Sequence, residues 1–274
     1  MRRRLTLVLA VLLAPAACTG PGFHGPDILY VATPEDVGLQ MLKTAAVTSD
    51  DTVYDLGSGD GRLVIAAARD FGARGVGVEI DGPLVQRSKE AALRAGVADR
   101  VIFLWQDLFA TDITGATVVT LYLRDDVNLR LRPKLLRELR PGTRVVSHDF
   151  GMADWAPDQR LRVRSADREH TIYFWRIPAD VAGEWTGTLR MPGGDESLTL
   201  ALSQRFQRVT GALATGGRTW PLADATLDGD TLSFTAGPNR FTARITGNTM
   251  TGNTTDTTGP PRDWTARRPN DRTQ

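Results

Sequence analysis

The run VYDLGSGDGR at residues 53–62 constrains the fold more than any other part of the chain. Apolar residues lead into Asp55, after which Gly57, Gly59 and Gly61 alternate with other residues. Glycine tolerates positive φ and lets a ligand approach the backbone, so this spacing predicts a tight turn after a strand. The apolar run 63–68 predicts a helix whose first N–H groups face the turn.

A second acid supports a ligand site at this turn. Glu79 ends the next apolar run, and in doubly wound folds an acid at the end of the second strand binds ribose hydroxyls. The dinucleotide fingerprint requires a small residue where this chain has Arg62. The pattern therefore predicts a nucleoside site without a pyrophosphate. Strand-end capping is the alternative for Asp55 and Glu79, and Asp60 could cap the following helix.

The segment DLGSGDG at 55–61 resembles motif I of the class I S-adenosylmethionine-dependent methyltransferases. Glu79 matches their ribose-binding acid, and the segment QDL at 106–108 matches the part that contacts adenine. The resemblance implies S-adenosylmethionine as cofactor, with Tyr30 and Thr33 closing over it. The residues that it assigns to the cofactor are Tyr30, Thr33, Asp55, Gly57, Gly59, Gly61, Glu79 and Asp107.

A narrower resemblance covers residues 27–178. The segments YVATP at 30–34, 57–68 and RVV at 144–146, with Phe150, Trp155 and Pro157, look like a family of small seven-strand lysine methyltransferases. Members of that family modify the c-ring protein of ATP synthase and the adenine nucleotide translocase. The resemblance implies a protein substrate with an accessible lysine.

The candidates for the acceptor side of the reaction are Tyr122, Asp149 and Trp155. Tyr122 lies near the end of the fourth predicted strand and the others follow the fifth, where open α/β sheets bind ligands. Aromatic faces attract alkylammonium groups, and Asp149 could orient an incoming amine. A core position is the alternative for Trp155. Residues 147–149, Ser-His-Asp, are not predicted to form a triad, because neighbours on a strand point to opposite faces.

The hydrophobic pattern predicts two domains. Strands at 52–56, 75–79, 101–105, 117–123 and 144–148 alternate with helices at 34–46, 63–71 and 83–95. Pro133 is expected to split a further helical segment at 127–139 or to start its second half, and 161–163 and 171–177 are expected to close the sheet. The predicted fold is a Rossmann-like α/β methyltransferase sheet, followed at 183–268 by a small all-β meander or barrel domain.

The N-terminus predicts export. A basic start at 2–4, an apolar run at 5–13 and the segment APAAC at 14–18 form a secretory signal too short to span a bilayer. Cys18 after two alanines resembles the lipid-carrying cysteine of bacterial lipoproteins, which predicts attachment to the cell envelope. Pro15 departs from that pattern, so plain secretion stays open. Residues 19–26 are a predicted linker, and 269–274 a predicted disordered tail.

Composition limits the other functions. With 33 basic and 32 acidic residues among 274, no global field favours nucleic acid or a membrane. The histidines His24, His148 and His170 show no metal-ligand spacing, so no metal site is predicted, and a single cysteine excludes a disulfide within the chain. An exported binding module that has lost catalysis and a small-molecule methyltransferase are the competing hypotheses.

Overall fold

The computed structural model describes residues 31–255 and 260–268. The predicted signal, Cys18, the linker, Tyr30 and the predicted tail at 269–274 lie outside the described residues. Among the residues that are described, none of the helices combines the length and apolarity needed to cross a lipid bilayer.

The first sheet has seven strands in the order β3-β2-β1-β4-β5-β7-β6. Its parallel strands are β1 (Thr52–Leu56), β2 (Arg74–Glu79), β3 (Val101–Trp105), β4 (Val118–Leu121) and β5 (Arg144–His148). The hairpin of β6 (Gln159–Ser165) and β7 (Arg168–Arg176) closes one side in antiparallel pairing. The predicted α/β sheet and its closing pair are confirmed, although β4 is shorter than predicted.

The described part of the chain has four helices: α1 (Glu35–Thr44), which precedes β1, and α2 (Arg62–Phe71), α3 (Gly82–Arg94) and α4 (Asp125–Glu138), which lie between the strands. The expected break at Pro133 is wrong, because α4 runs through it without interruption. A proline inside a helix removes the hydrogen bond to the carbonyl four residues earlier and crowds that carbonyl. That carbonyl belongs to Leu129, which lies on the exposed side of the helix, where water can serve as the donor.

A second sheet of nine antiparallel strands follows, in the order β11-β10-β9-β8-β16-β15-β14-β13-β12. The strands are β8 (Gly183–Leu189), β9 (Glu196–Arg205), β10 (Arg208–Thr215), β11 (Arg218–Pro221), β12 (Ala223–Asp228), β13 (Thr231–Ala236), β14 (Asn239–Thr246), β15 (Thr249–Thr255) and β16 (Arg262–Arg267). Alternate residues face a core of its own, centred on Trp185, Phe234, Phe241 and Trp264. Because β10 also contacts β12, the sheet nearly closes on itself, as a small barrel does.

The two sheets meet at the amino ends of the parallel strands. Arg176 of β7 binds Asp228 of β12 at 2.6 Å, and Arg176 pairs with Arg144, the first residue of β5. Ligands of open α/β sheets bind at the opposite, carboxyl ends of the strands. The nine-stranded unit therefore lies at the end of the first sheet that is remote from the glycine turn.

Candidate functional site

The strand register places five residues in one row across the carboxyl edge of the first sheet. Glu79 pairs with Trp105, while Leu56 pairs with both Val78 and Leu121, and Leu121 pairs with Ser147. One residue further along each strand, the row reads Trp105, Glu79, Gly57, Tyr122 and His148. The predicted cofactor side and the predicted acceptor side therefore adjoin at Gly57 and Tyr122.

The glycine turn is held to the end of β2 by backbone hydrogen bonds. The N–H groups of Gly57 and Ser58 both donate to the carbonyl oxygen of Val78, at 2.8 and 2.9 Å. Gly57, Gly59 and Gly61 all have positive φ, of 84°, 55° and 77°. A turn this tight needs residues without a Cβ, as the sequence predicts.

Glu79 fixes the turn from the other side. Its Oε2 accepts the N–H of Gly59 at 2.8 Å, and its Oε1 accepts the N–H groups of Ile80 and Asp81 at 2.8 and 3.0 Å. A carboxylate offers about four lone-pair positions, so room remains for one further donor, such as a ribose hydroxyl. The capping contacts of Glu79 therefore leave room for its predicted role in binding a ligand.

Asp55 lies beneath the turn and is almost fully buried. Its Oδ1 accepts a hydrogen bond from the hydroxyl of Thr120 on β4 at 2.7 Å. Burial raises the pKa of Asp55 to about 7, and the charges of Glu79 and Asp60 add to the rise. A carboxyl group in this state gains a charge readily when a cation arrives beside it.

The segment before α1 is tied to the same region. Arg62 Nη1 donates to the carbonyl oxygen of Thr33 at 2.9 Å, and the Thr33 hydroxyl lies 3.1 Å from His148 Nδ1. Asp60 holds the Arg62 guanidinium at 2.7 Å and accepts the Arg62 N–H at 3.3 Å, so it caps the start of α2 only weakly. The position of Thr33 is consistent with its predicted place beside the cofactor.

Asp107 lies just beyond the end of β3 on the same edge. Its Oδ1 accepts the N–H of Phe109 at 2.8 Å, and the side chain is exposed. This carboxylate is free to accept a hydrogen bond from an adenine amino group. The role of Asp107 in binding adenine stays a prediction.

On the acceptor side the structure brings Tyr122 and Asp149 together. The Tyr122 ring stacks on His148 with centroids 3.9 Å apart, and Phe150 lies 6.0 Å from the same ring. Burial raises the pKa of the Tyr122 hydroxyl, and the neighbouring Asp149 charge adds to this. Asp149 Oδ1 accepts the N–H of Thr171 at 2.7 Å. Two aromatic rings beside a carboxylate form a place where an alkylammonium group is stabilised.

Trp155 is not part of this arrangement. Its side chain is 1% exposed, its Nε1 donates to Gln207 at 3.0 Å, and its ring stacks on Phe206, both in the turn between β9 and β10. Its carbonyl oxygen accepts from Trp175, which pairs with Val145 in the amino half of β5. The predicted contact between Trp155 and an acceptor is therefore corrected: Trp155 anchors the nine-stranded unit.

Sequence reasoning missed two residues of the acceptor side, His148 and His170. His148 Nε2 lies 2.8 Å from His170 Nδ1, which lies 3.0 Å from Asp149 Oδ2. The argument that neighbours on a strand diverge fails for His148 and Asp149, because Asp149 has left the strand at a φ of 60°. The 22-residue separation of the histidines gives no local signal, and only the pairing of β5 with β7 could have predicted their contact.

Comparisons with known proteins agree with this geometry. A profile of the ANTKMT methyltransferase domain matches residues 55–159. The protein-lysine N-methyltransferase of Saccharolobus islandicus is 44% identical over 153 residues, which are 56% of this chain and 95% of that protein. The adenine nucleotide translocase lysine N-methyltransferase of Mus musculus is 37% identical over 105 residues, which are 38% of this chain and 46% of that protein.

A solved structure extends the comparison. The crystal structure of an RNA methyltransferase from Salinibacter ruber in complex with S-adenosyl-L-homocysteine is 54% identical, with a TM-score of 0.52. The alignment covers 55% of this chain and 96% of that chain.

The fold, the glycine turn and Glu79 define a class I methyltransferase that uses S-adenosylmethionine as its cofactor. Within that class, the chain belongs to the same family as the protein-lysine N-methyltransferase of Saccharolobus islandicus. The predicted enzyme class and cofactor are thereby confirmed. The residues fit the cofactor, since Glu79 keeps a free lone-pair position and Asp55 can balance a positive charge.

The glycine turn generates a prediction with a matched control. A Cβ at Gly61 would meet Phe103 at 2.5 Å, whereas a Cβ at Gly96, with a similar φ of 71°, meets nothing within 4 Å. We expect Gly96→Ala to lower the free energy of unfolding by about 1–2 kcal/mol, the backbone cost alone. Gly61→Ala should cost about 1–3 kcal/mol more because it also overpacks the site. Urea denaturation measures both, and equal losses would show that the clash is relieved.

Asp55 generates a prediction about pH. Its folded-state pKa is raised, so the folded protein keeps a proton that the unfolded chain has released, and stability falls as pH rises from about 4 to 7. A shift of about three units corresponds to roughly 4 kcal/mol across that window. We therefore expect Asp55→Asn to remove this part of the decline.

The control for this experiment is Asp51→Asn. Asp51 is paired with Arg144, and its pKa is lowered despite the opposing effect of burial. The contribution of Asp51 to the pH dependence of stability therefore lies at lower pH than that of Asp55. Unfolding free energies at about pH 4, 5.5 and 7 compare the three proteins across the window in which Asp55 titrates. Parallel curves for wild type and Asp55→Asn would contradict the protonated state of Asp55.

Proposed function

We propose that this protein transfers the methyl group of S-adenosylmethionine to the side-chain amine of a lysine in a protein. The observation that carries the proposal is the pairing of Leu56 with Leu121, which makes Gly57 and Tyr122 the next residues at the ends of adjoining strands. An acceptor held at Tyr122 and Phe150 lies next to the cofactor turn. The family relatives named above as lysine methyltransferases support the same acceptor.

The transfer is an in-line displacement, so the protein mainly positions the two reactants. S-adenosylmethionine supplies an electrophilic methyl group on a sulfonium. The lysine nitrogen, after losing a proton to solvent, forms the new C–N bond while the C–S bond breaks. The rings of Tyr122 and Phe150 hold the alkylammonium before it loses that proton, because their faces attract cations. Glu79 and the glycine turn fix the cofactor.

RNA is the competing class of acceptor. The similar Salinibacter protein is described as an RNA methyltransferase. In this chain Arg160, Arg162 and Arg164 are exposed along β6, the edge strand next to β7. Part of that charge is neutralised, since Arg162 lies 3.5 Å from Glu169. The nearly balanced total charge and the aromatic pair favour lysine.

Cofactor binding is tested by calorimetry with S-adenosylhomocysteine. We expect the wild-type protein to bind and Glu79→Gln to bind at least about tenfold more weakly, because a hydrogen bond to a charged group contributes about 1.5–3 kcal/mol. Gln86→Ala, on the exposed face of α3, serves as the control and should bind normally. A wild-type protein that does not bind S-adenosylhomocysteine would contradict the proposed methyltransferase activity.

The acceptor is tested with two peptide pools that differ only by lysine or arginine, and with total RNA. Mass spectrometry should detect methyl-lysine from the lysine pool alone. Phe150→Leu should lower kcat/KM by roughly 3- to 30-fold through the lost cation–π attraction, with unchanged affinity for S-adenosylhomocysteine. Methylated nucleosides would identify RNA instead. Cofactor binding without transfer to peptides, RNA or small amines would favour the non-catalytic binding module.

We also propose that the protein is exported and attached to the cell envelope by a lipid on Cys18. The signal-like N-terminus supports this proposal. Several acyl chains anchor firmly and one only marginally, so the mature protein should partition into detergent and Cys18→Ser should move it to the soluble fraction. An intact Met1 on the cellular protein would exclude both lipid attachment and cleaved secretion.

A further inference from the structure

Three side chains converge at the end of β5, beside the proposed acceptor site, and the transfer step proposed above gives none of them a role. His148 is the last residue of β5, Asp149 follows it, and His170 lies in β7. His148 Nε2 lies 2.8 Å from His170 Nδ1 and 3.4 Å from Asp149 Oδ2, and His170 Nδ1 lies 3.0 Å from the same oxygen. Three ligand-type atoms thus form a compact triangle.

The fold holds the cluster rigidly. His148 and His170 are 0% and 4% exposed, so their rings are fixed by packing. Asp149 is locked to β7 twice: its N–H donates to the carbonyl of Thr171 at 2.7 Å, and its Oδ1 accepts the N–H of Thr171 at 2.7 Å. The other oxygen, Oδ2, is thereby aimed at the histidines.

The geometry of the cluster leaves a place for a cation. All three atoms are potential metal ligands, and each lies within 3.4 Å of the other two. A cation at the centre of the triangle satisfies all three atoms at once.

The ligand set fits a divalent transition metal. Two imidazole nitrogens and one carboxylate are a common zinc donor set, with Zn–N distances of about 2.0–2.1 Å, which place tetrahedral ligands about 3.3 Å apart. The observed separations of 2.8, 3.0 and 3.4 Å need only small adjustments. The Thr33 hydroxyl at 3.1 Å from His148 Nδ1 orients that ring from behind, as outer-shell partners of zinc ligands do.

We propose that His148, Asp149 and His170 form a zinc site. The ion joins β5 to β7 and, through His148 and Thr33, fixes the segment before α1 beside Arg62. Asp149 then acts as a metal ligand and does not bind the acceptor amine directly. This site is independent of the identity of the methyl acceptor.

The Arg168 side chain competes with the ion for Asp149 Oδ2. Its guanidinium donates to Asp149 Oδ2 at 3.1 Å, while the side chain is 68% exposed. A long, exposed side chain can leave the carboxylate at little cost, because an exposed ion pair contributes little to stability. Removing its positive charge should tighten metal binding.

The experiment uses the full, tag-free chain with neither cofactor nor acceptor. After chelator treatment and dialysis against Zn²⁺, we expect one zinc per chain by mass spectrometry. The Tm should also rise, because an ion that binds the folded state alone stabilises it. Less than about 0.1 zinc per chain together with an unchanged Tm would overturn the proposal.

Variants locate the ion. His170→Gln should weaken Zn²⁺ binding by more than about 100-fold, a larger effect than the loss of an outer-shell partner. Glu169→Gln, its exposed neighbour on β7, and His24→Ala should bind normally. Arg168→Ala should bind roughly two- to fivefold more tightly. Unchanged zinc binding by His170→Gln would place the ion elsewhere and overturn the assignment.

Substitution of a buried histidine can prevent folding, so two further measurements keep the assignment testable. Asp149→Asn preserves the size of the side chain and should also lose the zinc. Co²⁺ in the wild-type protein should give the visible absorption of a four-coordinate nitrogen and oxygen site. A six-coordinate, solvent-like Co²⁺ spectrum would contradict the proposal whatever the variants do.

Discussion

The hydrogen bonds that the Glu79 carboxylate accepts are the interactions on which the cofactor side of the site depends. It accepts the N–H of Gly59 across the turn and two N–H groups of the segment that leads into α3. One side chain thus joins the end of β2, the glycine turn and the start of the following helix. Without this carboxylate, the turn would keep its hydrogen bonds to the Val78 carbonyl but lose the one that Gly59 donates to Glu79. The carboxylate that is predicted to bind ribose therefore also holds the turn in place, so the two roles are compatible.

Much of this half of the site could be predicted from the sequence because its determinants are local. The glycines, Asp55 and Glu79 lie within 25 residues of one another, and each follows an apolar strand pattern that fixes its place at the sheet edge. The relation between the histidines could not be predicted in this way. It depends on the register that pairs His148 with Ile172, which no short pattern in the chain specifies.

Trp155 shows a different limit of sequence reasoning. An aromatic residue after a parallel strand suits both an acceptor pocket and a core, and the choice depends on what covers it. Here the cover is the β9–β10 turn, whose Phe206 stacks on the indole and whose Gln207 accepts its N–H. These partners come from a unit about 50 residues later in the chain. The same contacts link the nine-stranded unit to the stability of the first sheet while keeping it away from the cofactor edge.

Residues at the end of the short strand β4 contact both the cofactor side and the acceptor side of the site. Thr120 donates to the buried Asp55 on one side, and Tyr122, two residues later, stacks on His148 on the other. The two halves meet a second time at Thr33, which binds Arg62 through its carbonyl and His148 through its hydroxyl. Thr33 thus links His148 to Arg62 at the start of α2, directly after the glycine turn. An ion at His148, Asp149 and His170 would therefore stabilise the geometry in which the cofactor and the acceptor meet, without touching either of them.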